Sequence, residues 1–139
     1  YLTEAFFRQL HQAMPEQLLL VMAYEDDKPI AAALNLWSAD TLYGRYWGAS
    51  KEIPGLHFET CYYQGIEFCI EKGLQRFDAG AQGEHKIPRG FEPVITHSLH
   101  SIVHPQFRQA IGGFLQDEAE AVQQYQLAAR ALLPFRQHG

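Results

Sequence analysis

Apolar residues Leu2, Ala5, Phe6, Leu10 and Ala13 recur at helical spacing and Pro15 closes the run, which predicts a helix over residues 2–14. The aliphatic run from Gln17 to Tyr24 reads as a strand, and the polar cluster Glu25-Asp26-Asp27-Lys28-Pro29 as a tight turn. A second strand follows over 30–37, closed by Ser38-Ala39-Asp40, and a third over 41–47. Three strands joined so closely predict an antiparallel meander. Strict alternation in the third puts Leu42, Gly44 and Tyr46 on one face and Tyr43, Arg45 and Trp47 on the other. Large groups on both faces lead us to expect cover on both sides.

Residues 57–72 carry a helical stripe in which Phe58, Cys61, Tyr62, Gly65, Ile66 and Cys69 fall within roughly 140° of arc. Glycine at position 65 costs about 1 kcal/mol of helix propensity, so it marks a point where the helix must approach a sheet closely. Gly73 is a natural stop. Residues 74–78 then read as a strand, 79–91 as a glycine-rich polar loop, and 93–103 as a further strand. His104-Pro105 opens a long helix over 105–133, with Phe107, Ile111, Phe114, Val122, Tyr125, Ala129 and Leu132 at core-like spacing and Gly112-Gly113 as a place for a bend. The order is helix, three antiparallel strands, helix, strand, loop, strand, long helix. It defines an α+β (mixed α/β) fold, read as a single domain over 1–139.

With 139 residues, 47% of them hydrophobic, the chain can bury a real core. Its formal charge of −5 argues against a general nucleic-acid surface, which needs a surplus of Lys and Arg. No apolar run approaches the ~20 residues that span a bilayer, and the first residues lack a signal-peptide pattern. Cys61 and Cys69, if they share the predicted helix, have Cα atoms about 12 Å apart, too far for a disulfide. Reduced thiols and a cytoplasmic setting are the expectation. The start at Tyr1, inside an amphipathic helix, leads us to expect the C-terminal part of a longer protein.

Four segments resemble a known family: Tyr46-Trp47-Gly48-Ala49-Ser50, Glu71-Lys72-Gly73-Leu74, Arg76-Phe77-Asp78-Ala79-Gly80, and Lys86 before Arg89-Gly90-Phe91. They look like the Fem-like branch of the GNAT superfamily of N-acyltransferases, over roughly the first hundred residues. From Arg45 to Phe91 the chain is similar to bacterial proteins described as predicted N-acyltransferases of a peptidoglycan biosynthesis or recognition type. The resemblance implies a GNAT-like fold whose first strand and helix lie outside this chain. It implies transfer of an acyl group from acyl-CoA, or of an aminoacyl group from aminoacyl-tRNA, to an amine, with a cell-wall precursor as the acceptor in Fem-like proteins. RNA enters only as an acyl donor. One departure is the loop from Ser50 to Leu56, where coenzyme A would need bare backbone amides. It offers one internal glycine, Pro54 without an N–H, and the acidic Glu52.

Candidate chemistry concentrates in the 79–91 loop. Glu84 and His85 are candidate bases, and Lys86, Arg89 and Gln82 candidate partners for a phosphate or carboxylate; a solvated charged loop is the alternative. Asp78 ends a strand and is a candidate catalytic group, or forms an Asx turn. Glu59 is a candidate base or a helix N-terminal charge. His57 and Tyr62 are candidate substrate-binding residues, with a core role the alternative for Tyr62. His97, His100 and His104 do not converge as a zinc set would, so no metal is expected. Two rival readings are a recognition module that binds peptide or glycan without transfer, and a structural half. An apolar stripe from Ile111 to Leu132 would then drive association with another copy or with a preceding half.

Overall fold

The computed structural model describes residues 2–81 and 83–135. The chain divides into two compact units, Tyr1–Ala81 and Gln82–Gly139. The first opens with α1 (Glu4–Ala13), where Thr3 caps the helix by accepting the Phe6 N–H at 3.4 Å. A short 3₁₀ turn at Pro15–Gln17 leads into the meander β1 (Leu18–Glu25), β2 (Lys28–Trp37) and β3 (Thr41–Ala49). The β1–β2 turn places Asp26 and Asp27 at φ 48° and 62°, the paired left-handed geometry of a tight hairpin.

After β3, α2 (Leu56–Phe58), a π-helical turn (Glu59–Tyr63) and α3 (Gln64–Lys72) run on as one helical stretch. Gly73 ends it at φ 69°, and β4 (Arg76–Asp78) joins the sheet. The order is β1-β2-β3-β4, antiparallel except for the parallel β3–β4 pair. The helical stretch packs on the face carrying Ala31, Ala33 and Leu42, all buried, and Gly65 lets it do so: a β-carbon there would meet Phe77 at 2.6 Å. This is an α+β fold with a four-stranded mixed sheet, compatible with a GNAT-like arrangement.

Strict alternation in β3 fails at one residue. Leu34 pairs with Tyr46 but Asn35 pairs with Gly44, so Arg45 is the extra residue of a β-bulge. Beyond it the faces exchange. Trp47 joins Leu42 and Gly44 on the helix-covered face and touches His57, while Tyr46 turns to the other face and meets Phe7 of α1 at 5.9 Å. Cover on both sides is correspondingly incomplete, and Tyr43, Tyr46 and Trp47 remain 37–39% exposed.

In the second unit, Glu84–Arg89 forms a 3₁₀ helix within the segment predicted as loop, and Gly90 closes it at φ 89°. Residues 92–103, predicted to contain a strand, form none: they have no ladder partner among the described residues. Val94, Leu99 and Val103 are 70–101% exposed, and strand-forming side chains do not make a strand without a neighbour to pair. Helix α4 (Pro105–Arg130) runs unbroken through Gly112-Gly113. Of its core-like stripe only Ala129 is buried, whereas Phe107 and Phe114 are more than 60% exposed. The unit is held by Gln126 Nε2 donating to Pro93 O at 3.0 Å, Tyr125 Oη donating to Glu84 at 2.9 Å, and an Arg130 to Glu92 contact of 3.9 Å.

Candidate cavity where β4 leaves β3

β4 pairs with β3 only over Thr41, Leu42 and Tyr43, then turns away at Asp78. From Gly44 to Ala49 the outer edge of β3 has no sheet partner among the described residues. A cavity of about 130 Å³ opens at this divergence. Its floor is Ala33 and Asn35 of β2, its wall the bulged segment of β3 with Ala79, and its roof His57, Cys61 and Tyr62.

Local sequence explains each placement. Gly55 at φ 84° starts α2, which brings His57 over Trp47, ring centroids 5.3 Å apart. The wider π turn then presents Cys61 and Tyr62 on the same side, and His57 and Tyr62 stand 5.4 Å apart, edge to face. Tyr62 is 5% exposed and stacks on Phe58 at 6.2 Å, so its ring serves the core while the residue lines the cavity. Asn35 is 2% exposed. Its Nδ2 donates to the carbonyls of Leu19 (3.4 Å) and Ala33 (3.5 Å).

His57 and Tyr62, expected as substrate-binding residues, thus come together. Glu59 is exposed and accepts a 2.8 Å hydrogen bond from Gln64 Nε2 across the π turn. Asp78 Oδ1 accepts from the Gly80 N–H at 2.8 Å, the Asx-type contact, and is exposed. Neither carboxylate lines the cavity. The remaining candidates belong to the second unit. There Glu84 accepts from Tyr125, and its carboxylate pushes the Tyr125 phenol above its ordinary range, the hydrogen bond being the larger cause and loss of water the next. Arg89 donates to the His85 carbonyl at 2.6 Å, His85 is exposed and Lys86 is half-buried. Gln82 lies outside the described residues.

Among the described residues no group of three or more His, Cys, Asp or Glu could hold a metal ion, and no helix is long and apolar enough to cross a membrane. Both cysteines are thiols; burial pushes that of Cys69 up.

Asn35, Gly44, Trp47 and Cys61 were not expected as site residues from the sequence. For Asn35 the signal was present: one amide side chain inside the apolar run Ala31-Ala32-Ala33-Leu34-Asn35-Leu36-Trp37.

Residues 1–137 match the FemAB-like family, described as peptidoglycan biosynthesis/recognition. The chain belongs to that family. No curated protein and no solved structure matches it.

Proposed function

We propose that the chain is the acyl-accepting half-site of an N-acyl or aminoacyl transferase acting on a peptidoglycan precursor amine. The observation that carries this reading is the departure of β4 from β3 after Tyr43, with a cavity at the split that holds an imidazole and a phenol. A split between strands exposes backbone donors in a partly enclosed place, which is what an acyl-transfer transition state requires.

In this reading the neutral amine attacks the activated carbonyl of the donor. A C–N bond forms, and the C–S bond of a thioester or the C–O bond of an aminoacyl ester breaks. His57 takes the proton leaving the amine and returns it to the departing sulfur or oxygen. The β3 edge beyond Tyr43 supplies donors to the developing oxyanion. No covalent enzyme intermediate is needed.

The donor is acyl-CoA or aminoacyl-tRNA. A tightly held coenzyme A is disfavoured by the loop after β3: the Ser50 N–H donates to Ile30 O, the Leu56 N–H to Ile53 O, and Lys51 pairs with Glu25 at 2.7 Å. Within the second unit, Lys86 and Arg89 are proposed to bind a phosphate or carboxylate.

The test is to incubate the full chain with labelled acyl-CoA or aminoacyl-tRNA and a precursor peptide bearing a free amine. Label should appear on the peptide and fall at least about 100-fold with His57→Ala, the usual contribution of a general base. Peptide binding with no transfer from either donor would replace this reading with recognition alone.

A further inference from the structure

The outer edge of β3 can be followed bond by bond. The Ser50 N–H donates to the Ile30 carbonyl at 2.8 Å, which carries the Ala31–Ala49 register on by one residue. Backbone groups of an antiparallel strand turn alternately to its two sides, so Ser50, Gly48 and Tyr46 face β2, while Ala49 and Trp47 turn their N–H and C=O away from it. On the near side of the bulge at Arg45 the outward groups are engaged. There the Asp40 carbonyl accepts from the N–H groups of Gln75 (2.8 Å) and Arg76 (3.1 Å), and Leu42 pairs with Phe77 of β4. Past the bulge β4 has left. The outward groups of Trp47 and Ala49 have no partner among the described residues, and both residues are exposed.

Two further features mark this edge as one that another backbone meets. Sheet edges are ordinarily blunted by a proline, a charge or a covering segment, and the run Tyr46-Trp47-Gly48-Ala49 carries neither proline nor charge. Gly48 stands between the two outward residues, and a β-carbon on it would meet nothing within 4 Å, so no packing among the described residues calls for a glycine there. Glycine inside a strand weakens it and often marks a place where a ligand or a second backbone comes close.

The spacing sets the chemistry of what pairs here. Trp47 and Ala49 present donor and acceptor together, two residues apart, or about 6.8 Å along the strand. An extended peptide repeats its own N–H and C=O at that interval and matches both. A sugar ring has no such repeat, and the amides of a coenzyme A arm are separated by an extra carbon that breaks the match.

We propose that Trp47 and Ala49 form the docking edge for the acceptor: its peptide adds to β3 in extended form, and alternate peptide residues exchange main-chain hydrogen bonds with these two. This rests on the acceptor reading above and gives its substrate class, a peptide recognised through its backbone. Trp47 also lines the cavity, so a peptide on this edge carries its amine to the split between β3 and β4.

The experiment titrates the full chain, isotopically labelled, with a capped alanine pentapeptide bearing one central lysine amine, and with analogues in which each backbone N–H in turn is replaced by an ester oxygen. The amides of Trp47 and Ala49 should shift, and that of Gly48, engaged with β2, should shift less. Ester replacement should weaken binding about fivefold at every second position, the worth of one hydrogen bond, and by less than about twofold at the positions between. Ala49→Pro removes one outward N–H without touching the β2 ladder, and affinity should fall by the same factor in a chain whose other amide shifts are kept. Equal weakening at all positions, unchanged affinity in Ala49→Pro, or no shift at millimolar peptide overturns the proposal. So does coenzyme A moving the Trp47 and Ala49 amides while the peptide leaves them still. A chain that shows the alternation yet transfers nothing keeps the proposal and loses only the transferase reading.

Discussion

Gly65 of α3 rests against Phe77 of β4 so closely that a β-carbon on it would stand 2.6 Å from the ring and 3.2 Å from Leu42. Gly65→Ala therefore gains about 1 kcal/mol of helix propensity but must displace an aromatic ring in a packed layer, which costs about 1–3 kcal/mol and more where the ring cannot turn. The expected outcome in urea is a net loss of about 1 kcal/mol. Gly112→Ala in α4, where a β-carbon meets nothing within 4 Å, should instead gain up to about 1 kcal/mol.

The β1–β2 hairpin holds two aspartates in the left-handed region, Asp26 at φ 48° and Asp27 at 62°. Asp27→Gly removes the β-carbon from a position that favours glycine and should stabilise by about 0.5 kcal/mol. Asp27→Val should destabilise by about 1–2 kcal/mol, because a β-branched residue resists that conformation. Thermal unfolding of the two variants checks the sign of each.

Glu84 holds Tyr125 in its neutral, donating form, so the folded phenol has a raised pKa. The sign follows from linkage. The contribution is fully present below the ordinary tyrosine range and is lost as pH rises from there through the raised folded value. Difference absorbance titration of wild type against Tyr125→Phe should place Tyr125 above the ordinary tyrosine range. Glu84→Gln should bring it back down.

The two thiols differ in surroundings. Cys69 is 8% exposed, its Sγ lies 3.9 Å from Arg76 O, and burial raises its pKa, whereas half-buried Cys61 lines the cavity. Timed N-ethylmaleimide labelling read by peptide mass should therefore mark Cys61 before Cys69. Transfer or amine binding should fall in step with Cys61 modification, since the adduct fills the space. Cys61→Ala should retain both.

Much of the first unit was legible because its signals are local: the spacing of apolar residues in α1, turn chemistry at 25–29, and the anomaly of Gly65. The bulge at Arg45 was not, because an extra residue in one strand is defined only by its neighbour, and it moved Trp47 and Tyr46 to faces opposite to those strict alternation assigns. Residues 92–103 misled for the same reason: Val94, Ile95 and Val103 are strand formers with no strand to join among the described residues. Of the chemistry, His57 and Tyr62 were recognisable as candidates. Asn35 required knowing that it pairs with Gly44 where β4 leaves β3.

Transfer requires the amine to lodge where β4 leaves β3. The direct measurement is photo-crosslinking of the full chain with a precursor peptide that carries a diazirine beside its free amine, mapped by peptide mass. Adducts should fall on Gly44 to Trp47 and on Ala79, and should vanish in the presence of excess unlabelled peptide. Competed adducts confined to other segments, with none on these residues, would contradict it.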